Sequence, residues 1–154
     1  MKHARALIAA SLLSACLIIT ACSGESYGDL PLMMERQVDL IEAAARHLAT
    51  ARNAADIVAV VDRFSADMEQ LSPRVERLRA RYHEALEFLA RGDIPQPLRP
   101  VMRRVKNLDN ELFRAGAGMM RFSGDPLVEA ARRKFDQVMK TVAWRKEQSG
   151  GQKP

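Results

Sequence analysis

Apolar residues recur every three or four positions along most of this chain, with polar residues between them. That spacing is typical of amphipathic helices, because it places the apolar side chains on one face. No segment alternates apolar and polar residues with a period of two, so no β-strand is predicted. The pattern therefore predicts an all-α fold, a small bundle of three or four helices within residues 31–147. The predicted core positions are Met34, Val38, Ile41, Ala45, Leu48, Ile57, Val61, Phe64, Met68, Leu71, Val75, Leu78, Tyr82, Ala85, Leu89, Val101, Val105, Leu108, Leu112, Ala115, Met119, Phe122, Leu127, Ala131, Phe135, Val138 and Val142.

Short polar residues and prolines indicate where these helices begin. Asp29 and Pro31 precede the first amphipathic stretch, and an acceptor side chain followed by proline suits the first turn of a helix. Asn53 has the same capping chemistry before the second stretch. Asp125 and Pro126 repeat the arrangement before the last one, which is expected to run to Glu147.

The second amphipathic stretch, residues 53–91, contains Ser72-Pro73 in its middle and leaves two interpretations open. Ser-Pro is typical of a cap followed by a first helical residue, which would divide the stretch into two helices. The apolar spacing nevertheless stays in phase across Pro73. That continuity favours one long helix kinked at Pro73, since proline removes a main-chain hydrogen bond and bends its helix.

Glycine and proline also mark the second half of the chain. Residues 94–100, IPQPLRP, carry three prolines and are predicted to form a stiff connector. Gly116 and Gly118 lie near the end of the following helix, where they either loosen the last turns or let a neighbouring helix pack closely. The tail, residues 148–154, is expected to be disordered.

The N-terminus has a different composition from the rest of the chain. Lys2 and Arg5 are followed by an uncharged, mostly apolar stretch over residues 6–21, which is the pattern of a secretory signal. At 16 residues the stretch is shorter than the ~20 that a membrane-spanning helix needs. Ile19-Thr20-Ala21-Cys22 resembles the lipobox of bacterial lipoproteins.

The resemblance implies that residues 1–21 are removed, that Cys22 carries the lipid, and that residues 22–30 form a flexible tether. Leu13-Ser14-Ala15-Cys16 also fits the pattern, but cleavage there would leave an apolar start, so Cys22 is favoured. In the sorting rule of enteric bacteria, aspartate after the lipidated cysteine retains a lipoprotein in the inner membrane. Ser23 stands there, so the resemblance implies the outer membrane, facing the periplasm, with the inner membrane still open.

The charge of the mature chain is mild. The sequence has 24 Lys and Arg against 19 Asp and Glu, and loss of Lys2 and Arg5 with the signal leaves a formal charge of +3. A charge this small gives no argument for nucleic acid as a partner. Basic residues do recur on helical faces, and with a lipid anchor nearby they suit anionic lipid headgroups. The candidates are Arg74, Arg77 and Arg81, with Arg103, Arg104 and Lys106 as a second stripe. Glu76, Glu84 and Glu87 lie on the same segment as the first stripe, which favours an ordinary solvated face with intrahelical ion pairs.

Metal and haem binding are not expected. His47 and His83 do not form a set of converging ligands, and the methionines are better explained as core packing than as a copper site. The stretch NAADIVAVVDRF resembles the second helix of soluble periplasmic b-type cytochromes, in which a methionine of helix one and a histidine of the last helix hold haem. Met33 or Met34 would supply the first ligand, but the last amphipathic stretch has no histidine, so no cofactor is predicted.

No nucleophile motif is present, so we do not expect an enzyme. The sequence predicts a lipid-anchored helical module that binds a protein of the cell envelope, as an adaptor, assembly factor or chaperone. Pilotins, the small helical lipoproteins that escort secretion-channel subunits, are similar in this general respect. The alternative is a carrier that holds haem, copper or an apolar molecule between its helices.

Overall fold

The computed structural model describes residues 27–142, and within them it consists of five α-helices without a strand. The predicted all-α class is confirmed. The predicted signal, Cys16, Cys22, Ser23 and the tail from residue 148 all lie outside the described residues. The helices are α1 Leu30–Thr50, α2 Ala54–Arg81, α3 His83–Arg91, α4 Arg99–Met120 and α5 Pro126–Met139, with a 3-10 turn, Gln96–Leu98, before α4.

Helix α1 packs against both α2 and α4. Helices α1 and α2 are antiparallel, so that Asp29 before α1 meets Arg74 near the end of α2. Helix α4 runs parallel to α1. Its early residue Arg104 contacts Asp39, and its late residue Gly118 lies against Leu48.

Helix α5 completes the bundle on the far side of α2. Lys134 bonds to Asp62 and the ring of Phe135 packs on that of Phe64, with centroids 5.1 Å apart. Further along both helices, Arg79 reaches the residues just after α5, so α2 and α5 are parallel. The starts of α1 and α4 and the ends of α2 and α5 therefore lie at one end of the bundle, which we call the tether end because the chain enters there at Tyr27.

The predicted core is confirmed at most positions, since the apolar seams of all four long helices are buried. Leu127 is the exception. Its side chain is 64% exposed, whereas Val128 is 1% exposed and takes the core position. Asp125 and Pro126 fix the first turn of α5, and from that start the inward face begins at Val128 and continues through Ala131 and Phe135.

Helix α2 continues through Pro73, as the phase of the apolar residues predicts. It does not run unbroken to residue 91, and that prediction is wrong. The interruption falls at Tyr82, whose φ of −117° and ψ of 32° end α2. The Tyr82 ring packs edge-on against Tyr27, with centroids 6.1 Å apart. Helical hydrogen bonding resumes at once, because the Leu86 N–H donates to the Tyr82 carbonyl at 3.1 Å.

Two predicted caps are confirmed and one is wrong. Asn53 Oδ1 accepts from the Asp56 N–H at 2.9 Å, and Asp125 Oδ1 accepts from the Leu127 N–H at 2.8 Å. Asp29 stands at the start of α1, but its carboxylate accepts from Arg74 at 2.7 Å and caps no amide. An arginine brought close by the fold competes for the acceptor that sequence alone assigns to the helix.

The last helix is also shorter than predicted. Helix α5 ends at Met139 and not at Glu147. Arg79 Nη2 donates to the carbonyls of Thr141 and Val142, at 3.1 and 2.8 Å, and so holds the chain after the helix end. Val142 remains buried although it lies outside the helix.

Candidate functional site

An open groove of about 840 Å³ lies at the tether end. The loop after α3 and the first two turns of α4 form its walls, and Tyr27 closes one side. Gly92 has a φ of +90°, a conformation that glycine adopts readily and that turns the chain out of α3 into this loop. The charged residues that line the groove are Arg99, Arg103, Lys106 and Asp93.

We call Arg99, Arg103 and Lys106 the groove cations. Arg99 Nε makes one long hydrogen bond, 3.4 Å, to the Ile94 carbonyl. Within residues 27–142, no carboxylate lies within 4 Å of any groove cation, and Asp93 likewise makes no ion pair. Helix α4 has no acidic residue in its first turn. A cation in the first turn of a helix, such as Arg99, is unfavourable by about 0.3–1 kcal/mol. The groove therefore holds three cations against one carboxylate, Asp93, and none of the three is paired within residues 27–142.

Arg104, which the sequence grouped with Arg103 and Lys106, does not belong to this set. Its guanidinium turns towards α1, where Nη2 donates to Asp39 at 2.7 Å and to Glu42 at 3.0 Å, and Nε reaches Glu42 at 3.4 Å. Hydrogen bonds first with Glu42 and then with Asp39 raise the pKa of Arg104 above its usual value. Arg104 therefore joins α4 to α1, and two carboxylates balance its charge.

The other predicted basic stripe is divided by the fold. Arg74 is paired with Asp29, and Arg81 lies over the ring of Tyr82, 5.3 Å from its centroid. Arg77 is exposed and has no ion-pair partner among the described residues. All three lie near the end of α2, and so they share the tether end with the groove cations.

A second candidate surface is the outward face of α4. Asn110, Phe113, Ala117 and Met120 follow one another at steps of three, four and three, and all four are exposed. Phe113 is 78% exposed and Met120 is 57% exposed. We call these four residues the α4 stripe. Sequence reasoning missed it because the buried seam of the same helix has equally regular spacing.

The residues considered for cofactors lie apart from one another. Met33, Met34, Met68 and Met119 are buried in the core, and His47 and His83 are exposed on different helices. Residues 27–142 contain no group of three or more His, Cys, Asp or Glu side chains placed to hold a metal ion.

One smaller cavity, of about 230 Å³, lies between α2 and α5. Ser65 contributes a buried hydroxyl there that has no hydrogen-bond partner within residues 27–142. Lys134 also lines the cavity and bonds to Asp62 at 2.9 Å. A water molecule in the cavity would satisfy that hydroxyl.

Comparison of the chain with protein-family models, with curated proteins and with solved structures finds no match. Over residues 27–142, none of the helices combines the length and apolar character that crossing a bilayer requires.

Proposed function

We propose that this chain is a lipid-anchored, non-enzymatic interaction module of the bacterial cell envelope, held by acyl chains at Cys22 on the periplasmic face of the outer membrane. The signal pattern of residues 1–21 and the lipobox resemblance at Cys22 support the anchor. Anchoring of this kind is stable when two or more chains are attached, since each buried methylene adds about 0.8 kcal/mol.

The α4 stripe is the observation that carries the interaction part of this proposal. Large apolar side chains on the surface of a small helical protein are usually scattered singly, whereas Phe113 and Met120 lie two turns apart on one face. Their spacing, with Ala117 between them, is the spacing by which one helix packs against another. Burial of each large side chain in a complex would contribute about 1.5–3 kcal/mol.

The position of the stripe suits a partner that approaches from the periplasm. Phe113 and Met120 lie in the second half of α4, which points away from the tether end. Leu127, at the start of α5, is exposed at the same far end. The proposed occupant is therefore a different envelope protein that offers an apolar helix or groove, and the chain acts on it as an adaptor, assembly factor or chaperone.

Site-specific photo-crosslinking in the native envelope tests this proposal. A photoreactive phenylalanine analogue at position 113 of the full chain should give one adduct of discrete mass with another protein. The same analogue at Gln70, which is exposed in the middle of α2, is the matched control and should give none. No adduct at 113, equal adducts at both positions, or an adduct of twice the chain's own mass would each contradict the proposed partner.

A further inference from the structure

We propose that the groove at the tether end binds the phosphates of anionic phospholipid headgroups, and that this contact sets the orientation of the bundle on the membrane. The inference rests on the lipid anchor proposed at Cys22. It assigns the contact to Arg99, Arg103 and Lys106, which the fold gathers around one concavity, and not to the stripe that begins at Arg74.

The charge of the groove determines the class of ligand. Three cations line it against one carboxylate, Asp93, and Arg103 and Lys106 make no ion pair within residues 27–142. Arg104, one residue further along α4, shows the contrast, because two carboxylates of α1 neutralise it. Exposed, unneutralised arginine and lysine on a concave surface suit phosphate oxygens, which accept from several donors at once.

The length of the tether determines where the phosphates come from. Tyr27, which lines the groove, is five residue steps from Cys22, and a fully extended chain spans at most about 3.6 Å per step. The groove can therefore lie no more than about 18 Å from the lipidated cysteine. Electrostatic attraction at physiological salt acts over about 8 Å. The groove cations are therefore attracted to the headgroups once the bundle moves from the limit of its tether to within that distance of the membrane.

The aromatic residues of the tether end have the chemistry of a membrane interface. Tyr27 packs edge-on against Tyr82, and Arg81 lies over the Tyr82 ring. Tyrosine side chains have an apolar body and a polar tip, which suits the level of the headgroups. The groove and this aromatic pair meet at Tyr27, so headgroups that enter the groove also contact the pair.

The experiment uses the acylated full-length product in vesicles. After the proposed processing the chain has no thiol left, so Asn110→Cys introduces a single one, one turn beyond Lys106 on the same face of α4. A fluorophore on that thiol should be quenched by headgroup-labelled lipid in vesicles of phosphatidylcholine with 30% phosphatidylglycerol. The quenching should be much weaker in phosphatidylcholine alone, where the anchored bundle is not docked, and 0.5 M NaCl should lower the quenching to that level.

Two matched charge variants locate the contact. Arg103→Gln with Lys106→Gln should lower the ratio of docked to undocked protein about 25-fold, since each cation near an anionic surface contributes about fivefold. Arg52→Gln with Arg63→Gln removes the same charge from exposed arginines at the far end and should leave the quenching unchanged.

Equal quenching in both kinds of vesicle, or equal losses in both variants, would overturn the inference. Displacement by 20 mM inorganic phosphate, but not by NaCl of equal ionic strength, would assign the groove to free phosphate and would also overturn it. Failure of the protein to float with neutral vesicles is a separate result. It would contradict the anchor and with it the access of the groove to headgroups.

Discussion

Helices α1 and α4 approach each other closely at Gly118, near the end of α1. A Cβ added at Gly118 would collide with the Leu48 carbonyl oxygen and lie 2.9 Å from the Ala49 Cα. Arg121 secures the same junction, because its Nη2 donates to the Ala51 carbonyl at 2.7 Å. From the sequence, Gly116 and Gly118 could either loosen the last turns of α4 or permit close packing. Gly118 permits close packing of α4 against α1.

Gly118→Ala should therefore destabilise the protein by about 1–3 kcal/mol, because two backbones must move apart to admit a methyl group. Gly116→Ala is the matched control. A Cβ at Gly116 meets nothing within 4 Å, so alanine there should stabilise α4 by about 0.5–1 kcal/mol. Urea denaturation of both variants measures the difference, and a Gly118→Ala variant as stable as Gly116→Ala would contradict the close approach.

At the scale of the element, α2 shows how continuity of the apolar pattern outweighs a local signal. Pro73 lies inside the helix and is exposed, so its ring projects towards solvent while Val75 and Leu78 remain buried on the core side. The cost of proline in a helix interior is a lost hydrogen bond and a steric conflict with the preceding turn, about 3 kcal/mol. Packing of α2 on α1 and α5 offsets that cost.

Pro73→Ala should raise the free energy of unfolding by about 2 kcal/mol, because alanine restores the helical hydrogen bond. The greater conformational entropy of the unfolded chain with alanine offsets only part of that gain. Pro126→Ala is the control, because Pro126 opens α5 beside the Asp125 cap, where proline is favourable. It should leave stability unchanged or lower it by up to about 1 kcal/mol. A loss of stability in Pro73→Ala would favour two helices that meet at Ser72-Pro73.

Sequence periodicity predicted the four long amphipathic helices and most of the core, because burial on one face imposes a regular spacing. It failed where a side chain takes its partner from a part of the chain that is distant in sequence. Asp29 turns to Arg74 and not to a helix end, and Arg104 turns to α1 and not to solvent. Leu127 shows a different limit, since an error of one residue at a helix start changes which side chain faces the core.

The candidate groove was only partly predictable for the same reason. Arg103 and Lys106 were recognised as basic positions, but Arg99 lay within the connector, and Asp93 and Tyr27 gave no functional signal. These residues come from the chain entry, the loop after α3 and the start of α4. Only the packing of α4 alongside α1 brings them to one end of the bundle.

At the scale of the whole molecule, the two candidate surfaces lie towards opposite ends of the bundle. The groove cations line the same concavity as Tyr27, and Phe113 and Met120 lie in the far half of α4. In the account proposed here, one end faces the membrane and the other faces a partner. Both roles depend on a lipid at Cys22, because the anchor holds the bundle at the membrane, where the groove can reach the headgroups.

The intact mass of the protein extracted from the source membranes tests this dependence most directly. The account predicts a polypeptide that begins at Cys22 and carries the added mass of diacylglycerol and of an N-terminal acyl chain. It also predicts that Cys22→Ser yields a folded protein released from membranes. A polypeptide that begins at Met1 or Cys16, or one that begins at Cys22 without any acyl mass, would contradict the account.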